Sequence, residues 1–219
     1  MKISSLQKGL VAHWTMSQDS LKGSLLADKT PYENDGTIYG ATFTTDRKGQ
    51  ANKAMSFDGV DDYVNTAINI NGSKTFSLWA RSNIANDSMV ALFGVQSPDA
   101  GDRYYLGFNS SGVLGCGIGP LSWINNYTDY KLDTNWHNYI LTSEGTNHNL
   151  YVDGVLIKEI TGVVLSDDTN SYYLGALHYL TDKMYFFNGS IDDVRIYNRA
   201  LSQAEITTLY NSYNSKIQL

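Results

Sequence analysis

Cysteine is almost missing from this chain. Cys116 stands alone among 219 residues, so no intrachain disulfide can form, and the redox compartment stays open. Proline occurs three times, and only four glutamates accompany eighteen aspartates. Glutamate favours helices and aspartate favours turns and metal loops, so this imbalance argues against a mainly helical protein. Basic residues are outnumbered: sixteen Lys and Arg face twenty-two Asp and Glu, and the formal charge of −6 disfavours a nucleic-acid partner. No apolar run approaches the length of a membrane span, so membrane insertion is not expected. Residues 1–10 also lack the apolar stretch of a signal peptide.

What the chain does have is tyrosine, sixteen of them, set in short runs that alternate apolar and polar residues between turn residues. A dozen such runs, from GLVAHWT (9–15) to FNGSIDDVRIYN (187–198), predict an all-β, two-sheet antiparallel β-sandwich. Asp153-Gly154 lies between two alternating runs and marks a two-residue hairpin. One helix closes the chain. Ser202 and Glu205 form a capping box, Leu201 and Ile206 a hydrophobic staple, and QAEITTLYNS is expected to lie against the sandwich. The whole of 1–219 reads as one domain.

Seven segments in order carry a family resemblance: GLVAHWTM (9–16), NDGTIYGA (34–41), AMSFDGVDDYV (54–64), FSLWAR (76–81), NWHNYILT (135–142), LYVDGVLI (150–157) and GSIDDVRIYNRALSQAEI (189–206). Together they resemble the laminin-G-like, concanavalin A-like jelly-roll family. The resemblance implies two curved sheets stacked face to face and an extracellular or surface-associated protein, secreted or carried on a virion. Such domains include lectins, carbohydrate-binding modules, adhesion domains, glycan-cleaving enzymes and structural domains, so fold alone does not fix function.

Many similar domains bind calcium between the loop after the first strand and the last strand. Here the resemblance places ligands at Asp28, Asn34 and Asp192, with Asp19 as a further donor in the 17–36 loop. Strict alternation puts Asp192 on the face of Val194 and Ile196, and Asp193 on the solvent face with Arg195 and Tyr197. A carboxylate turned to the core needs a partner. Calcium is one; buried backbone N–H groups are the other.

The glucanase branch of this fold carries an E-x-D-x-E strand. Its nearest counterpart, Glu33-Asn34-Asp35-Gly36-Thr37, lacks the last carboxylate, and Glu144, Glu159 and Glu205 have no carboxylate two residues away. No H-E-x-x-H or G-x-S-x-G motif is present. Catalysis is therefore not expected. Sugar sites set aromatic faces beside polar side chains, and GPLSWINNYTDYKLD (119–133), a loop-like stretch, supplies both. Trp123, Asn125, Asn126, Tyr127 and Tyr130 are the expected glycan or polysaccharide contacts, unless Trp123 instead caps the core. Trp14, Trp79 and Trp136 read as core, and His137 as outward-facing. A structural module binding other chains of a surface assembly is the competing reading.

Overall fold

Two sheets stack face to face, antiparallel but for one short parallel pairing among the described residues. The computed structural model describes residues 5–83, 89–96, 103–119, 125–165, 170–179 and 182–214. Across the first sheet the strands run Val155–Thr161, Asn147–Val152, His137–Glu144, Lys74–Ser82, Asn188–Tyr197, Ala54–Asp58 and Thr42–Thr44. The second runs Asn125–Lys131, Val113–Gly119, Arg103–Phe108, Val90–Gln96, Tyr173–Leu174, Tyr63–Asn65 and Gly36–Tyr39, then two short strands in 21–26. This is the expected jelly-roll sandwich with a C-terminal helix.

Alternation builds the core. Phe76, Leu78 and Ala80 of one sheet meet Leu106, Phe108, Leu114 and Cys116 of the other, all buried. Burial pushes the Cys116 thiol up to about 12. A polar seam runs through this interior. The buried Lys74 ammonium donates to the Ile70 carbonyl at 2.7 Å and the Tyr172 hydroxyl at 3.0 Å, and lies 4.8 Å from the Tyr104 ring centre. Ser143 Oγ sits 3.0 Å from the Tyr104 hydroxyl and 2.8 Å from Nδ1 of the fully buried His148. Because the Val163 carbonyl near Nε2 can only accept, Nε2 carries the proton and Nδ1 accepts from Ser143. Burial lowers the pKa of this histidine. The Ser–His contact is walled off from solvent and serves packing.

The local signals hold. Asp153 and Gly154 both take left-handed φ (51° and 79°), as a two-residue hairpin turn demands. The helix runs Gln203–Asn214, with Ser202 N donating to Glu205 and Glu205 N to Ser202 Oγ. Leu201 and Ile206 are buried beneath it with Leu6, Leu10 and Trp79.

Two expectations change. Asn125–Lys131 is an edge strand paired with Val113–Gly119, not a loop; its polar sequence hid it because one long edge faces no partner strand. His137 points inward, opposite Ala80, with Tyr130 and Tyr139 edge-on at 5.7 and 6.2 Å.

Candidate functional site

Asp192 pairs with Arg47, whose guanidinium also reaches Asp193 at 3.4 Å and lies 4.9 Å over the Trp79 ring. The cause is a bulge. One edge of Asn188–Tyr197 pairs with Ala54–Asp58 through Ile191 and with Leu10–Trp14 from Val194 onward. Where the partner changes, Asp193 turns to φ 45° and the register against Lys74–Ser82 shifts. Alternation breaks there. Ile191, Val194 and Ile196 face the core, while Asp192 lies opposite Trp79 on the outer face, contrary to the strict-alternation reading. Asp193 is not solvated either. It takes His13 Nε2 at 2.8 Å and Arg195 Nε at 3.1 Å. Burial alone would raise its pKa, but these contacts outweigh burial and hold it below the usual carboxylate range. Burial raises Asp192, against the pull of Arg47.

The expected calcium ligands do not fit a metal. Asp28 Oδ1 accepts from His13 N and Thr30 N, each at 2.9 Å; Oδ2 accepts from Thr30 Oγ1 at 2.6 Å and Asn34 N at 3.0 Å. All four of its in-plane acceptor positions are spent. Asn34 donates its side-chain amide to the Val11 carbonyl, and its main-chain carbonyl accepts from Trp14 Nε1. Asp19 pairs with Lys53. His13 turns both N–H and C=O toward residues 28 and 29, so Leu10–Trp14 stands between Asp28 and the last strand. Asp28 and Asn34 are brought together; Asp192 and Asp19 are not part of their cluster. Among the described residues one acidic triad has metal-like spacing, Asp58, Asp61 and Asp62, in the turn that crosses from the first sheet to the second before Tyr63.

The expected sugar platform divides. Trp123 lies outside the described residues, as does the Asn125 side chain. By register Asn126 lies opposite the buried Cys116, on the interior side, and Tyr130 packs against the core. Tyr127 lies on the outer face against Gly115, where any Cβ would collide with the ring. Its hydroxyl bonds to Asn109.

The same outer face carries a feature assembled from distant segments. Tyr39, Tyr63, Tyr173 and His178 form a column of stacked rings, with centres 4.5, 4.8 and 4.3 Å apart and planes within 20° of parallel. Neighbouring strands bring them together: Tyr39 is opposite Tyr63, and Tyr173 is opposite Asn65. Tyr63 and Tyr173 are 8 % and 7 % exposed because their faces are covered, whereas Tyr39 at the end of the column is 44 % exposed. Lys183 lies 5.2 Å over Tyr63. Tyr172, one residue from Tyr173, points the other way into the core, so both rings of this pair are buried, on opposite faces of the sheet.

A profile of the concanavalin A-like lectin/glucanases superfamily matches residues 58–207, well over half of the chain. The chain belongs to this superfamily. No curated protein sequence matches it as a relative. Solved structures show the same fold. Trypanosoma rangeli sialidase, in complex with 2,3-difluorosialic acid, superposes with a TM-score of 0.72 at 18 % identity, over 94 % of this chain. This chain spans 33 % of the sialidase chain. Domain 4 of AbnA, a GH43 extracellular arabinanase from Geobacillus stearothermophilus solved with arabinotriose, gives 0.67 at 21 % identity, covering 92 % of this chain and 98 % of that one. The binding domain of Paraclostridial Mosquitocidal Protein 1 gives 0.69 at 16 %, over 94 % and 52 %. At such identities the likeness establishes the fold of this superfamily member, and its site has to be argued from its own residues.

Proposed function

We propose that this domain is a non-catalytic glycan-binding module of a secreted or surface-associated protein, and that it binds through the outer face of its second sheet. The carrying observation is the ring column ending in the exposed Tyr39. Pyranose and furanose rings present C–H patches that stack on aromatic faces, and a sugar laid on Tyr39 continues a column already preorganised by three rings behind it. Lys183 beside Tyr63 supplies a donor for hydroxyls, and Tyr127 on Gly115 is a second platform on the same face. The arabinotriose complex of a domain with this fold supports the reading. The reading does not call on calcium at Asp28, Asp192 or Asp19, whose carboxylates already hold protein donors and cations.

Retardation of the purified protein in gels containing arabinan, xylan or β-glucan tests the proposal. At least one polymer should slow it and remain uncut, with no reducing ends released. Tyr39→Ala should weaken retention about tenfold. Val60→Ala, a change at an exposed residue outside the column, should not. Unaltered retention by Tyr39→Ala sinks the assignment.

A further inference from the structure

On the outer face of the first sheet, remote in the chain from the tyrosine column, a groove of about 390 Å3 runs between the sheet and the 200–203 segment that leads into the helix. That volume is at the small end of ligand sites. Its floor is a lattice of polar side chains set by strand register. Thr142 faces Asn149 and Asn149 faces Glu159 in one row; Glu144 faces Asn147 and Asn147 faces Thr161 in the next. Adjacent strands are about 4.8 Å apart, so each row spans about 10 Å. Tyr151 closes the floor, its hydroxyl bonded to Asn149, and Ser202 and Gln203 form the wall.

Charge makes the groove selective. Glu144 and Glu159 are exposed; among the described residues neither has a cationic partner, and no lysine or arginine lines the groove. Two unpaired carboxylates beside amides and hydroxyls attract a cation that also carries hydroxyls, and repel uronates and sialates. A single aliphatic ammonium chain would leave the amide and hydroxyl rows unused. We infer that this groove is a second carbohydrate site, selective for sugars with a free amine, such as glucosamine units.

The inference goes beyond the tyrosine face and is tested apart from it. Calorimetric titration at about pH 6, below the range of ordinary amines, compares β-linked glucosamine oligomers with their N-acetylated and plain glucose counterparts. The glucosamine oligomer should bind about tenfold tighter than either, and lose that advantage as salt rises. The double change Glu144→Gln and Glu159→Gln, isosteric and at exposed positions, should abolish the preference, whereas Tyr39→Ala should leave it intact. Equal binding of amine and acetylated forms overturns the inference, as does absence of binding, a preference that survives the double change, or binding of oligolysine in place of the sugar.

Discussion

Nδ1 of His137 lies 2.7 Å from Asp153 and Nε2 lies 3.1 Å from Asp133, so the fold favours the protonated ring over the neutral one. The hydrogen bond to Asp153 is the larger cause of its raised pKa, and partial burial opposes it. A raised pKa gives stability that is fully present below the unfolded value and is lost as pH rises through the folded one. His137→Gln should therefore cost roughly 1 kcal/mol at mildly acidic pH and clearly less in alkaline buffer. Thermal melts across that range check the sign; an equal loss at both ends would mean that ring packing on Tyr130 and Tyr139 carries the effect. Which way this ring points was not legible in the sequence. Trp136 beside it is half-buried on the outer face under Arg81, and a run of two amphipathic aromatics gives no clue to which one turns inward.

The last strand shows what a period-two pattern can and cannot reveal. Its apolar residues, both aspartates and its pairing role were legible, but the bulge was not, because it arises where a strand changes neighbours, and that depends on segments more than a hundred residues away. Arg47, in the loop between Thr42–Thr44 and Ala54–Asp58, offers no sign in sequence that it will meet Asp192. Once seated, it neutralises two carboxylates and covers Trp79, with only 11 % of its side chain exposed. Arg47→Met should cost about 3–5 kcal/mol by stranding these buried charges. The wild-type melting temperature should be the same with chelator and with added calcium. A fall on chelation would restore the metal reading. Other elements declared themselves from local chemistry alone, the Asp153-Gly154 turn and the capped helix foremost, because their determinants lie within a few residues.

Across the whole molecule, the two sheets are joined by the polar seam as well as by apolar packing. Lys74 on one sheet reaches Tyr172 and Tyr104 on the other. A buried ammonium is costly to desolvate, so Lys74→Met should leave stability within about 1 kcal/mol or raise it, while Lys74→Ala should lose about 2–4 kcal/mol through the cavity left behind. Urea unfolding of both variants decides the matter; equal losses would show that the bonds to Ile70 and Tyr172 outweigh the desolvation cost. The tyrosine column also belongs to this scale. Tyr173 and His178 lie close together in sequence, but nothing ties them to Tyr39 and Tyr63 until strand order makes all four neighbours, and for that reason the sequence pointed to the aromatic run around Trp123 instead. The lone thiol is a different kind of consequence. Cys116 is 1 % exposed, and burial suppresses its thiolate, so a thiol-reactive dye can reach it only when the sandwich opens. With a single sulfhydryl in the chain, labelling speed becomes a one-site clock for opening of the core, readable in native buffer and in the presence of any saccharide that holds the sheets together.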